Sequence, residues 1–265
     1  MHPFLKWPGG KRWLHHKIIK YIPKKYNTYF EPFLGGGAVF FAISPKNACI
    51  SDLNKDLINL YVTMRDEHEE LEKEIKYHQK KHCKEYYYEI RNKTYRKNVR
   101  RAGQFLYMNR ACYNGMYRVN RKGVFNVPIG TKTDFTYDLS EFSKYSMILK
   151  NAEIIVSDFE KIIDKAGAGD VVFADPPYVN NSDNNGFLNY NNRLFTWEDQ
   201  KRLFNSLLKA RDRGSKIILT NIMCKEIMQM YKNEGFKVIT VSRTSTISGK
   251  KTSRQKVKEL LIVSK

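Results

Sequence analysis

Asp175-Pro176-Pro177-Tyr178 is the stretch of this chain whose residue types and spacing are best suited to chemistry. The residues before it, Val171-Val172-Phe173, read as the end of a buried strand in a parallel sheet. Two prolines stop that strand, because neither can donate to a ladder, and Pro176 forces Asp175 into an extended conformation. A carboxylate and an aromatic ring are thereby held on a stiff turn at the carboxyl end of a strand, where open α/β sheets bind ligands. Taken alone, the same residues read equally well as a strand ending in a tight turn. A second constellation lies upstream. Gly35, Gly36 and Gly37 form a turn that opens a helix after a short strand, so backbone amides can meet a ligand there. Asp52 ends the next strand, where a carboxylate accepts hydrogen bonds from ribose hydroxyls. Gly-Gly-Gly-Ala lacks the GxGxxG spacing of a dinucleotide site, so a ligand without phosphates fits better, and a plain tight turn is the alternative.

The elements that must carry these residues follow from hydrophobic periodicity. A loop over Pro3–Lys11 leads into a helix expected over Arg12–Ile22. Thr28–Pro32 reads as a strand, the glycine turn opens a helix, Ala48–Asp52 is a second strand, and a helix follows through Leu60. Residues 62–112 are charged and helical in texture, and 113–130 are rich in turns. Strand rhythm resumes at Glu153–Asp158, Asp170–Asp175 and Lys216–Thr220, with a helix at Trp197–Arg211. Lys237–Arg243 and Glu259–Val263 read as an antiparallel pair. The βα alternation is interrupted by about 90 residues too regular in pattern to be a loop. The expected organisation is one α/β domain, residues 1–60 plus 150–265, carrying an inserted helical domain, residues 61–149.

Over 265 residues, Lys plus Arg is 47 against 27 for Asp plus Glu, a formal charge of +20. With 42% hydrophobic residues this is a folded chain, and such a basic one points to a polyanion, most often nucleic acid. A lysine-rich composition with solvated faces is the plainer alternative. Cys49, Cys83, Cys112 and Cys224 form no CxxC pair, so neither a zinc site nor a disulfide framework is expected, and a reducing cytoplasm fits. No secretory or membrane-spanning segment is read.

Phe4-Leu5-Lys6-Trp7-Pro8-Gly9-Gly10-Lys11, Phe30-Glu31-Pro32-Phe33-Leu34-Gly35-Gly36-Gly37, Ser51-Asp52-Leu53-Asn54 and Asp175-Pro176-Pro177-Tyr178 together resemble the DNA adenine methyltransferase (Dam) family, in the motif order of its alpha type. The resemblance extends into the insertion. There, Asn109 to Asn120 and Phe125-Asn126-Val127-Pro128 look like that family's recognition hairpin. It implies a Rossmann-like S-adenosylmethionine-dependent methyltransferase sheet with an inserted helical DNA-recognition domain. It also implies S-adenosyl-L-methionine as cofactor, contacted by Trp7, Lys11, Glu31, Phe33, Gly35, Gly36, Gly37, Asp52, Asp158, Phe159 and Asp175. The reaction implied is methylation of the exocyclic N6 amine of adenine in duplex DNA, within GATC or a related short site.

Asp175, Pro176 and Tyr178 suit that reaction. An exocyclic amine is a poor nucleophile because its lone pair is delocalised into the ring. The Asp175 carboxylate and the Pro176 carbonyl can accept its two N–H bonds and aim the lone pair at the methyl donor, with no metal required. Tyr178 offers a stacking face for a base flipped out of the duplex. For DNA, Arg118 suits a bidentate contact to guanine and Lys6 can reach another. Arg110, Tyr113, Asn114, Met116, Asn120, Arg121, Asn126 and Pro128 complete the expected recognition surface. The hydroxyl- and lysine-rich Ser242–Arg254 segment, with Arg243, Lys250, Lys251 and Arg254, suits phosphate contacts, or is simply a surface loop. Ile129–Asp134 departs from the family's Arg/Tyr/Lys/Pro-rich run, which leaves the flanking contacts open. The partners implied are double-stranded DNA, no membrane, no metal, and a cognate restriction endonuclease as a separate protein. The setting is a bacterial or phage-encoded protein held on the nucleoid by its DNA. Two other readings stand beside this one: a methyltransferase acting on RNA or a protein amide, and a non-catalytic DNA-binding relative.

Overall fold

A computed structural model describes residues 1–120, 123–131, 135–178, 195–244 and 256–265. Its strands are β1 (Tyr29–Glu31), β2 (Ala48–Asp52), β3 (Ala152–Val156), β4 (Val171–Ala174), β5 (Lys216–Ile222), β6 (Lys237–Thr244) and β7 (Lys256–Val263). They form a seven-stranded mixed sheet in the order β3-β2-β1-β4-β5-β7-β6. The described α-helices are α1 (His15–Ile18), α2 (Ala38–Ile43), α3 (Lys55–Asp66), α4 (His68–Lys81), α5 (Lys84–Asn92), α6 (Asn98–Ala111), α7 (Phe142–Leu149), α8 (Phe159–Ile163), α9 (Trp197–Asp212) and α10 (Lys225–Asn233). The α/β class read from the sequence is the class observed. None of the described helices is long and apolar enough to cross a membrane. The chain gathers into two compact units. The first is Met1–His15 with Leu34–Val156, and the second is His16–Phe33 with Ser157–Lys265.

In the first unit β2 and β3 run parallel, with Ile50 opposite Ile154 and Asp52 opposite Val156. The turn after β2 is built by two side chains. Asp52 Oδ1 accepts the Asn54 N–H at 2.9 Å, and the Asn54 side chain accepts the N–H groups of Asp56 and Leu57, capping α3. That cap satisfies two of the donors a helix start leaves open. The helix then runs to Asp66, past residue 60, burying Leu57, Ile58, Leu60, Tyr61 and Met64. Helices α3 to α7 bury an aromatic core in which Tyr61, Tyr87, Tyr107 and Phe142 are fully enclosed.

His78 belongs to that core. Its ring stacks on Tyr107 at 4.7 Å, its Nδ1 lies 2.8 Å from the Tyr86 hydroxyl, and its Nε2 has no hydrogen-bond partner among the described residues. Burial lowers its pKa from 6.5 to about 4. Protonation is therefore easier in the unfolded chain than in the folded one. The neutral ring contributes stability that is complete above the unfolded pKa and is lost as pH falls from about 6.5 to about 4, a loss of about 3 kcal/mol. Replacing it by His78→Gln should flatten thermal stability across that window, measured as melting temperature against pH.

In the second unit β4 pairs in parallel with both β1 and β5, with Tyr29 opposite Val171 and Val172 opposite Ile217. This explains the uninterrupted apolar run Val171–Ala174: a central parallel strand is covered on both faces, and all four residues are buried. Strand β7 inserts antiparallel between β5 and β6, pairing Leu219 with Ile262 and Val238 with Ile262. Helix α9 starts at a capping box, where Thr196 accepts from the Asp199 N–H and Asp199 accepts from the Thr196 N–H.

The helix expected over Arg12–Ile22 is a correction. The structure has 3-10 turns at Lys11–Trp13 and Ile19–Tyr21, with a four-residue helix, α1, between them. Gly10 provides no capping side chain. Only Leu14 and Ile18, one turn apart, are fully buried there. A single apolar turn does not hold a longer helix in place.

Candidate active site and nucleic-acid interface

In the first unit the glycine turn is closed from above by Trp7. Gly35 has φ +47°, and a Cβ there would lie 2.7 Å from the indole Cδ1. The turn is pinned below by the Tyr61 hydroxyl, which donates to the Gly35 carbonyl at 3.0 Å, and by the Gly35 N–H, which donates to Asp52 Oδ2 at 3.0 Å. Asp52 therefore holds both its own turn and the glycine turn. Burial pushes its carboxyl above the usual aspartate range, against the pull of the backbone N–H bonds from Asn54, Gly35 and Leu53. Lys11 is buried, and its Nζ donates to the Gly9 carbonyl at 2.8 Å.

Trp7 also stacks on Tyr117, with centroids 5.1 Å apart and planes at 22°, and Phe105 lies beyond at 6.4 Å. Next to Trp7, the backbone of Lys6 is gripped by buried Asn109. The Lys6 N–H donates to Asn109 Oδ1 at 2.9 Å, and Asn109 Nδ2 donates to the Lys6 carbonyl at 2.7 Å. The Lys6 side chain runs over Gly115 (φ +63°), where any Cβ would overlap it. Asn114, with φ +55°, precedes it in the same left-handed region, a conformation asparagine tolerates better than most residues. Two consecutive left-handed residues turn the chain sharply, with Tyr113 exposed beside them. Arg118 Nε donates to Asn126 Oδ1 at 2.8 Å across the hairpin. The Asn120 side chain accepts the Val124 N–H and closes the hairpin tip. Arg110 lays its guanidinium over the Tyr137 ring at 4.9 Å. Met116 is half-buried, its carbonyl accepting from Cys112, and the Pro128 carbonyl accepts the Tyr113 N–H. The structure thus brings Lys6, Tyr113, Asn114, Arg118 and Asn126 around one hairpin. Asn120 and Arg110 spend their side chains on the hairpin turn and on an aromatic face. Arg121, Lys250, Lys251 and Arg254 lie outside the described residues, as does the side chain of Arg243.

In the second unit Asp175 sits half-buried one residue beyond β4, as the stop at the prolines predicts. Its Oδ1 accepts the Thr220 hydroxyl of β5 at 2.6 Å. The Tyr178 hydroxyl donates to Glu259 of β7 at 2.7 Å. At the end of β1, Glu31 is buried and accepts from the Tyr29 hydroxyl, whose own ionisation is suppressed by burial and by that carboxylate. Phe33 stacks on Phe159 at 5.3 Å and meets the edge of Phe195 at 5.8 Å. Asp158 caps α8 through the Glu160 N–H and also accepts from Arg202, whose guanidinium lies over the Phe159 ring. Sequence reasoning did not reach Tyr61, Asn109, Tyr117, Phe195, Arg202, Thr220 or Glu259. Asn109 and Tyr117 stand inside a motif already noted, without a role of their own, and Thr196-x-x-Asp199 marks the helix that carries Arg202. Among the described residues no cluster of His, Cys, Asp or Glu is placed to hold a metal ion.

A sheet whose β1 and β4 are parallel neighbours, with β1 ending at Glu31 and β4 leading into Asp-Pro-Pro-Tyr, is of the Rossmann-like α/β class, which binds ligands at the carboxyl ends of its strands. Comparison with known proteins narrows the class. Residues 7–247 match the family model of D12 class N6 adenine-specific DNA methyltransferases. The chain is 38% identical to Type II methyltransferase M1.LlaDCHI of Lactococcus lactis subsp. cremoris, over 99% of this chain and 95% of that one. It is 33% identical to the DNA adenine methylase of Escherichia coli strain K12, again over 99% and 95%. It is 36% identical to the DNA N-6-adenine-methyltransferase of Escherichia phage P1, over 94% of this chain and 33% of that longer protein. The chain belongs to the D12 class of N6 adenine-specific DNA methyltransferases. Its substrate is DNA.

Proposed function

We propose that the chain transfers the methyl of S-adenosyl-L-methionine to adenine N6 within GATC or a closely related site, on a base flipped out of the duplex. The observation that carries this reading is Asp175, fixed by Thr220 at the end of β4 on an Asp-Pro-Pro-Tyr turn. The cofactor is assigned to Trp7, Lys11, Gly35, Gly36, Gly37 and Asp52 in the first unit. In the second it is assigned to Glu31, Phe33, Asp158, Phe159 and Asp175. The donor set fits. Asp52 is a carboxylate disfavoured by burial that gains from added hydroxyl donors, and Lys11 is a buried ammonium suited to a carboxylate. The bound cofactor supplies an electrophilic sulfonium methyl. Asp175 and the Pro176 carbonyl accept the two N–H bonds of the target amine and draw its lone pair out of conjugation with the ring. Tyr178 stacks on the flipped base. The region 61–149 is assigned to target recognition, with Lys6 and Arg118 reading guanines and Tyr113 and Asn114 filling the space the base leaves. A cognate restriction endonuclease, as a separate protein, belongs to the same reading.

The test is transfer of tritiated methyl to duplexes with and without a single GATC, followed by cleavage with methylation-sensitive nucleases. Label on GATC duplex alone supports the site. Label on RNA or protein but never on DNA sinks the proposal. Arg118→Ala should relax discrimination at one base pair by about 1–3 kcal/mol. A uniform loss on every sequence, with a shallower salt dependence, would make Arg118 a phosphate contact instead.

Asp52 adds a pH dependence. Its carboxyl is raised by burial, so in the free protein it holds its proton to higher pH than an ordinary aspartate. Hydroxyl donors favour the ionised form and pull the pKa down. Cofactor affinity should therefore rise with pH until Asp52 is fully ionised, with release of up to one proton on binding. Calorimetry in buffers of different ionisation enthalpy reads that proton, and Asp52→Asn should abolish it.

A further inference from the structure

Tyr178 is needed for its ring if it stacks on a base, but the structure gives its hydroxyl a separate partner. Glu259 lies on β7 between β5 and β6, opposite Ile222 on one side and Val241 on the other, and is 1% exposed. A carboxyl group on a central strand, in a row otherwise made by Leu261 and Val263, is unfavourable unless donors reach it. The Tyr178 hydroxyl is such a donor, at 2.7 Å. Paired residues on neighbouring strands point to the same face, and so do residues two apart on one strand. Thr220 pairs with Leu261, so Thr220 and Glu259 share one face of the sheet. Thr220 is fully buried, and its hydroxyl donates to Asp175 Oδ1 at 2.6 Å. From that one face of β5 and β7, two buried polar groups reach the two working side chains of the Asp-Pro-Pro-Tyr turn.

We propose that Glu259 is a positioning residue for Tyr178, with Thr220 playing the same part for Asp175. The proposal rests on the reading of Tyr178 and Asp175 as the residues that hold the target base. Glu259 fixes the plane of the Tyr178 ring by accepting its hydroxyl, so the stacking face is set before the base arrives. Thr220 occupies one carboxylate oxygen of Asp175 and so orients the other toward the amine. Neither touches substrate. Both act on kcat through the residue they hold.

The test uses the full chain, S-adenosyl-L-methionine and a duplex with one adenine that the wild-type protein methylates. A second duplex carries 2-aminopurine at that adenine, to report flipping by fluorescence. Glu259→Leu, which keeps the volume and removes the acceptor, should lower kcat about ten- to a hundredfold. KM for the duplex and Kd for the cofactor should stay within about threefold. Glu259→Gln, whose amide oxygen still accepts the hydroxyl, should recover most of the loss. Tyr178→Phe should fall with Glu259→Leu, and combining the two should cost no more than either alone. Thr220→Val should lower kcat, with Thr220→Ser restoring it. Additive losses in the double variant, or wild-type kcat in Tyr178→Phe, would overturn the proposal, and the second outcome decides it even if Glu259→Leu fails to fold. Full turnover in Tyr178→Ala would instead remove the reading on which it rests, leaving Glu259 as a purely structural group.

Discussion

Asp175→Ala should lower methyl transfer by at least about a thousandfold, or about 4 kcal/mol in the barrier, while duplex DNA still binds. The carboxylate is half-buried beyond β4, with one oxygen held by Thr220. Alanine removes the acceptor proposed to prepare the amine and keeps the buried strand Val171–Ala174, although it strands the buried Thr220 hydroxyl of β5. Asp175→Asn is the more telling companion. Its amide keeps an acceptor oxygen and nearly the same shape, so it should retain measurable activity above Asp175→Ala. Single-turnover transfer of tritiated methyl, beside a gel-shift titration, separates the two effects. Full activity in Asp175→Ala would remove the carboxylate from the mechanism.

Asn109→Ala should have the next largest effect, for a reason that lies in the first unit alone. Asn109 closes two hydrogen bonds on the Lys6 backbone, and alanine strands an N–H and a carbonyl that were satisfied. Each stranded group costs about 1–3 kcal/mol. The strap freed by that loss carries both Lys6, assigned to a guanine, and Trp7, which covers the glycine turn. Expected results are a lower melting temperature and a loss of about ten- to a hundredfold in affinity for specific duplex, with non-specific binding falling less. Asn109→Asp should do no better, because a carboxylate cannot donate to the Lys6 carbonyl. An unchanged ratio of specific to non-specific affinity would show that the strap does not position Lys6.

The residues legible in the sequence were those whose local pattern is rare. Two prolines after an apolar run mark Asp175, and an acid at the end of Ala48–Asp52 marks Asp52, with strand limits matching those observed. The antiparallel pairing of the last two strands was also readable from alternation and length. Thr220 and Glu259 were not, because each looks like an ordinary strand residue, and what distinguishes them is a contact 45 or 81 residues away in the chain. Arg202 reads as one more surface charge on α9, yet it joins Asp158 and the Phe159 ring. Asn120 shows the opposite case. A polar residue in a basic hairpin reads as a DNA contact, and the structure uses its side chain to close the turn.

The placement of β7 between β5 and β6 has a consequence for the order in which the protein can be made. Strand β6 reaches the sheet through β7, so it has no partner on β5 until the later strand exists. Glu259 follows Tyr178 by 81 residues, which takes about 4 to 16 seconds of synthesis. From the completion of β5 at Ile222 until Glu259 is made, the later part of that interval, the open edge of β5 is a template for a foreign strand, and a chaperone that shields strand edges would find its target there. The same delay separates making the Asp-Pro-Pro-Tyr turn from making the strand that supports it. Nascent chains would therefore leave the genome unmarked until β7 has docked.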